Sequence, residues 1–290
     1  VAQDEVIVEV AGRRFRAVDR HPSGWWIHTN GLDEWWDSPE TRFDDDPIPG
    51  QHGSFAPDAV LMSSRMFAFT GRHESVSAEW AEREIRTWAA AIAPRLDLGF
   101  SVYNAGRWLH LREAKIRGRV RVREITDRIC EFQLPIWTHD PRKYTDQDSF
   151  KVSATVAPSG GLRFPVVDGS MSFGESGAVS FPGVFRVSNP GTADYFPTFK
   201  VSGALGGFTI TSENRVIEYA APVAAGQELV LSPYLGGLAA LDGVDSSHNL
   251  TQAGWVPVNG EQTRGYFFNA IDPGLGAQLE VTYYPKGVFW

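Results

Sequence analysis

The sequence predicts an all-β protein with one α-helix, organised as two domains over residues 1–146 and 147–290. Three observations carry this. Short segments with a period of two dominate the chain and are separated by Gly, Pro and Asp, the pattern of antiparallel strands. Only the stretch 78–93 repeats its apolar residues at three- and four-residue spacing. The strand rhythm breaks at a polar stretch, 137–148, which contains Pro141. At 290 residues the chain is long for one core and sufficient for two. Its 42% hydrophobic and 21% charged content is ordinary for a folded globular protein.

The first half predicts strands at 5–10, 13–18, 25–29 and 65–70, each alternating apolar with polar positions. The helix follows. Trp80, Ala81, Ile85, Trp88, Ala89 and Ile92 make its apolar side, and both tryptophans are expected to seat it on the sheet. Ser77 is placed as N-cap, Glu79 and Glu82 suit the positive end of the helix dipole, and Pro94 ends the helix. Strands at 108–116, 119–125 and 129–136 come next, with a hairpin expected to turn at Gly118. Strict alternation with Val120 and Val122 puts Arg119, Arg121 and Arg123 on one face. Such a stripe either meets DNA or an acidic neighbouring subunit, or is a solvated strand face. From Phe150 onward the chain is lysine-poor and glycine-rich without a helical period, which describes a β-sandwich or jelly roll. No repeat of 20–50 residues is visible, which speaks against a solenoid or propeller.

The net charge of −8 argues against a protein that binds nucleic acid through its overall field. The single Cys130 can form no internal disulfide; in its apolar run it reads as a small buried hydrophobe, and a reducing site of folding is expected. No run approaches the length of a membrane helix, and residues 1–5 have neither the basic region nor the apolar core of a signal peptide, so a protein kept in solution is expected. Arginine far outnumbers lysine, which points to a GC-rich genome.

Asp44, Asp45 and Asp46, and the pair Asp242 and Asp245, read as solvated turns and not as the acid and base of a glycosidase. The stretch Gly169-Ser170-Met171-Ser172-Phe173-Gly174 comes near a nucleophile elbow, but a required glycine is replaced by Ser170 and no helix follows. The histidines at 21, 28, 52, 73, 110, 139 and 248 show no metal-ligand spacing, and no phosphate-binding glycine loop opens a helix. No enzyme activity, metal or cofactor is expected. Exposed aromatics such as Trp255 or Tyr234 could stack on sugar rings, which leaves a carbohydrate-binding module as the alternative; a glycoside hydrolase or esterase is a further rival.

Two aromatic- and glycine-rich stretches carry a resemblance. The first runs Gly31-Leu32-Asp33-Glu34-Trp35-Trp36-Asp37-Ser38-Pro39-Glu40, then Gly50-Gln51-His52-Gly53, then from Ser64 to Gly71; the second runs from Asn189-Pro190-Gly191-Thr192-Ala193 to Gly203. In this order, with Asp140, Pro141 and Tyr144 closing the first half and Gly160-Gly161-Leu162-Arg163-Phe164-Pro165 opening the second, the chain resembles the distal tail proteins of long-tailed bacteriophages. The closing stretch 255–281 fits as well. The acidic run Asp44-Asp45-Asp46 departs from the pattern, where basic or neutral residues would be expected. The resemblance implies an N-terminal split β-barrel that forms a ring and a C-terminal galectin-like sandwich outside it. It implies a structural virion protein: a homohexameric ring joining the tail tube to the tail tip, with a lumen through which the genome passes without specific binding. Its partners would be further copies, the major tail tube protein, the tape measure protein and baseplate hub proteins. It would be located at the virion tail tip after assembly in the host cytoplasm, with no membrane insertion. Candidate subunit-interface residues are Trp35, Trp36, Arg119, Arg121 and Arg123, together with the helix surface opposite Trp80 and Trp88.

Overall fold

A computed structural model describes residues 6–17, 24–28, 30–42, 48–49, 51–52, 60–154, 183–234, 238–274 and 276–290. The acidic run 44–46, Gly50, Gly53, the glycine stretch 160–165 and the elbow-like stretch 169–174 lie outside the described residues.

The chain forms two compact units, Val1–Asp146 with Val288–Trp290, and Gln147–Gly287. In the first unit the strands are β1 (Ile7–Val10), β2 (Arg13–Arg16), β3 (Trp25–Ile27), β4 (Thr41–Arg42), β5 (Leu61–Met62) and β6 (Arg65–Glu74). Helix α1 (Ala78–Ile92) follows, then β7 (Ser101–Asn104), β8 (Arg107–His110), β9 (Lys115–Ile116), β10 (Arg121–Glu124), β11 (Ile129–Thr138) and β12 (Lys143–Tyr144). The second unit holds β13 (Asp148–Ser153), β14 (Val184–Asn189), β15 (Thr198–Ser202), β16 (Gly207–Ser212), β17 (Arg215–Tyr219), β18 (Glu228–Leu231), β19 (Ala239–Leu241), β20 (Val244–Asp245), β21 (Leu250–Ala253), β22 (Gln262–Ile271) and β23 (Gln278–Tyr283). The strand β24 (Val288–Phe289) returns to the first unit and pairs with β12. The last three residues, read from the sequence as part of the second domain, therefore belong to the first unit's sheet.

That sheet runs β10-β11-β6-β3-β2-β1-β7-β8-β12-β24, with β9 also on β11. It is curled into a half-barrel. Strands β6 and β7 are four places apart in this order, about 19 Å across a flat sheet at ordinary strand spacing. Yet Phe69 of β6 and Phe100, next to β7, have ring centroids 5.9 Å apart. Curling brings the alternate apolar residues into one core, closed by α1. Phe15 stands at its centre, with Phe69 at 5.2 Å, Trp88 at 5.5 Å and Phe132 at 5.8 Å. Gly71 lies opposite Phe132 in the β6–β11 ladder, and a Cβ there would come within 2.5 Å of the Phe132 ring. Its lack of a side chain is what lets that ring lie across the strand.

Helix α1 is capped as the sequence predicts: the Ser77 hydroxyl accepts the Trp80 N–H. Ala81, Ile85, Trp88, Ala89 and Ile92 are buried, but Trp80 is half exposed. Only Trp88 seats the helix; Trp80 lies on the flank of the stripe, under the Arg83 guanidinium at 4.8 Å.

The hairpin expected at Gly118 is not there. β9 and β10 both run antiparallel to β11 and form one edge line interrupted by a bulge. The cause is Pro135 on β11. The Arg117 N–H donates to the Pro135 carbonyl at 2.9 Å, and Pro135 has no N–H to return. The ladder breaks at this point, and Gly118, at φ +123°, carries the bulge. The chain reverses instead between β10 and β11, where the Ile125 N–H donates to the Ile129 carbonyl.

The second unit has two antiparallel sheets, β13-β23-β15-β18-β19-β20 and β14-β22-β16-β17-β21. Phe185 and Tyr266 of one sheet meet Phe199 of the other at 6.3 and 5.7 Å, so the inner faces interdigitate as in a β-sandwich. The Asn189-Pro190-Gly191 turn is pinned by buried Asn189, whose amide donates to the carbonyls of Ala193 and Val258 while its oxygen accepts the Gly191 N–H.

Candidate interaction surface

The face of the first sheet directed away from α1 is set by alternation along β10, β11 and β6. Val120 and Val122 pack toward the core, which leaves Arg119, Arg121 and Arg123 exposed on the opposite face. Pairing sets Gln133 beside Arg121 and Glu131 beside Arg123, with Thr70 and Arg72 on the next strand. Small side chains, Ala68 and Thr70, floor a groove under the arginines, with Gln133 and Pro135 beside them.

The charges are unbalanced. Glu131 is the acceptor for Arg123 at 2.8 Å and for Arg72 at 3.3 Å, and His28 lies 3.7 Å from it. Arg119 and Arg121 make no ion pair or side-chain hydrogen bond among the described residues. The sequence-predicted stripe thus forms one surface, with two of its three cations uncommitted. Sequence reasoning missed Glu131 and Gln133, whose signal was the period of two on a strand recognised only as core, and Arg72, which lies beyond the predicted strand end at 70 but inside β6.

The tryptophan pair divides. Trp35 is fully buried, packed on Phe67 and Phe100 with ring centroids 5.5 Å away in each case, and belongs to the core of the first unit. Trp36 is 50% exposed. The pair sits on a 3-10 turn, Asp33–Trp35, where successive side chains point about 120° apart. The turn is held from below. Lys143 is buried and donates to the Trp35 carbonyl at 3.0 Å; Arg65 donates to the carbonyls of Asp37 and Pro141, both at 2.9 Å. Burial, and then the charge of Arg65, push the Lys143 ammonium down to about 8. Burial likewise pushes Arg65 down to about 10, against the opposing influence of Asp37. Glu34 from the same turn accepts the Ala68 N–H at 2.8 Å and covers part of the β6 edge.

In the second unit, Phe150, Arg186, Ser188, Tyr283 and Pro285 line a groove of about 390 Å3. Trp255 is stacked on Phe199 with its indole nitrogen buried, while Tyr234 is 39% exposed and its hydroxyl accepts the Phe196 N–H. Asp242 and Asp245 accept hydrogen bonds from the turns they stand in, at Glu228, Gln227 and Ser247. Cys130 is buried, and burial pushes its thiol up. No group of three or more metal-ligating side chains occurs among the described residues. No described helix is long and apolar enough to cross a membrane.

No protein-family model matches this chain, and no curated protein matches it. Among solved structures it is similar to the SPP1 Dit (gp 19.1) protein, presented as a paradigm of the hub adsorption apparatus in phages that infect Gram-positive hosts. The TM-score is 0.62 at 11% identity, over 98% of this chain and 99% of that one. Chains of the phage P2 baseplate in its activated conformation, with Ca or with Sr, align at TM-scores of 0.47 and 0.45 with 6% identity, over 98% of this chain. The likeness to SPP1 Dit at this identity speaks for the fold.

Proposed function

We propose that this chain is a structural virion protein, the distal tail subunit of a long-tailed bacteriophage. The observation that supports this best is a shared fold with SPP1 Dit over nearly the full length of both chains. Six copies form a closed ring through the first unit, and the ring joins the tail tube to the tail tip around a lumen for the genome. The neighbours are the tail tube, tape measure and baseplate hub proteins, and assembly takes place in the host cytoplasm. The protein's activity is assembly and not turnover.

Cyclic closure requires two different complementary patches on each subunit. The Trp36 turn and the exposed surface of α1, both on the first unit, are the candidates. Negative-stain imaging with light scattering tests the reading: rings with a central hole and six times the monomer mass are expected. A strictly monomeric protein at high concentration, or turnover in glycosidase and esterase screens, would count against it.

A second reading, glycan binding, is favoured by the groove of the second unit, where aromatic Phe150 and Tyr283 stand beside the Arg186 cation. Glycan binding lost on Arg186→Ala would support it.

A further inference from the structure

Strand β10 is the outer edge of its sheet, and its outward backbone groups meet no partner among the described residues. Its two faces differ in chemistry. On one side stand Arg121 and Arg123, with Arg119 just before the strand; Arg119 and Arg121 have no carboxylate partner among the described residues. On the other, Val120 and Val122 form a groove of about 250 Å3 with Arg86, Ala89, Ala90 and Ala93 of α1. Elsewhere on this sheet, Glu34 covers the part of β6 that β3 leaves unpaired, at the Ala68 N–H, and the bulge at Gly118 beside Pro135 interrupts the line before β10. β10 itself is regular over its four residues, with neither proline nor bulge.

We infer that this edge takes an added strand from a different protein, an extended acidic segment with carboxylates at alternate positions and aliphatic residues between them. The argument is one of register. An added strand presents successive side chains to opposite faces, with same-face residues about 6.8 Å apart. Carboxylates at i and i+2 then stand across from Arg121 and Arg123, and a third at i+4 lies toward Arg119 beside the end of the strand, while the intervening side chains enter the groove against α1. Opposite charges facing each other across strands are favourable, and the backbone bonds supply pairing that a nucleic acid cannot. A second copy of this chain does not fit the description. None of its carboxylates lies two residues from another with an apolar residue between: the i, i+2 pairs are Asp44 and Asp46, Glu82 and Glu84, and Asp146 and Asp148, separated by Asp45, Arg83 and Gln147. The inference deepens the assembly reading by giving one neighbour a chemistry, and it rests on that reading.

The test uses the full chain and a terminally blocked, fluorescent seven-residue peptide alternating Glu and Val, with binding read by anisotropy. Controls are the same composition in two blocks, the alternating peptide N-methylated at alternate amides, and a single-stranded oligonucleotide of equal charge. The alternating peptide should bind at least tenfold more tightly than any control. Arg119→Glu with Arg121→Glu, both exposed and unpaired, should weaken it at least tenfold, and Ala90→Asp, on the exposed rim of the groove, severalfold. Circular dichroism verifies that the variants fold. Equal binding of the block peptide or the oligonucleotide overturns the inference, as does binding indifferent to these variants or no binding at all. Light scattering on the same samples scores self-assembly separately: loss of assembly with peptide binding unchanged would give the edge to another copy, and absence of rings with the expected peptide binding would overturn only the ring.

Discussion

Trp35 and Trp36 are chain neighbours in opposite environments, and nothing in a Trp-Trp dipeptide says which ring is inside. The 3-10 turn decides it, and that turn is fixed by Lys143 and Arg65, far away in sequence. Trp35→Ala should cost about 3–5 kcal/mol in denaturant unfolding, as for other large aromatics removed from a core, while Trp36→Ala should leave stability nearly unchanged. Lys143 adds a pH dependence. Its amine is held at about 8 in the fold against 10.5 as a free side chain. Between these values the unfolded chain binds the proton and the folded one does not, so this group makes stability rise with pH over that window. Lys143→Met should remove that rise, measured as the difference in unfolding midpoint between wild type and variant from pH 7 to 10.5. Glu84 works at the other limb. Its hydrogen bond to His73, whose other ring nitrogen lies 2.8 Å from the Gly24 carbonyl, holds its carboxyl below the usual 4.5. The stability it contributes is present above pH 4.5 and lost as the pH falls through its lowered value, and Glu84→Gln should flatten that acid limb.

At the scale of elements, the helix was legible almost to the residue, because cap, period and terminator agree locally: residues 78–93 were expected and Ala78–Ile92 form it. Ser77→Ala should therefore lower stability by about 1 kcal/mol, read in urea unfolding at unchanged helix content. Trp80 was misplaced because eight residues along a helix return only to within about 80° of the starting direction, enough to carry one tryptophan off the buried stripe. The arginine alternation was equally readable from the sequence. The turn at Gly118 was not, since what sets the conformation there is the missing N–H of Pro135, seventeen positions on, which matters only once β9 and β11 are known to pair. Pro135→Val restores a donor at that point. Hydrogen exchange at Arg117 and its neighbours should slow relative to wild type if the bulge is a response to proline; unchanged protection would mean that Gly118 alone imposes it.

For the whole molecule, the all-β class with one helix was visible in the periodicities, but the return of β24 to the first sheet was not, because two residues beyond the Pro285-Lys286-Gly287 turn are too short a run for any period to say which sheet they join. Removing residues 288–290 should lower the melting transition of the first unit while leaving that of the second in place, followed by calorimetry, since Val288 is fully buried and its ladder with Tyr144 is lost. The same strand bears on synthesis in the cell. The first 146 residues leave the ribosome without the strand that finishes their sheet, and the second unit, Gln147–Gly287, must be translated before it appears. At about 5–20 residues per second that delay is roughly 7–30 s. During it the β12 edge awaits β24, so a ribosome-bound chain has an unfinished first unit, and any contact that depends on the completed sheet is reserved for molecules translated through to the closing strand.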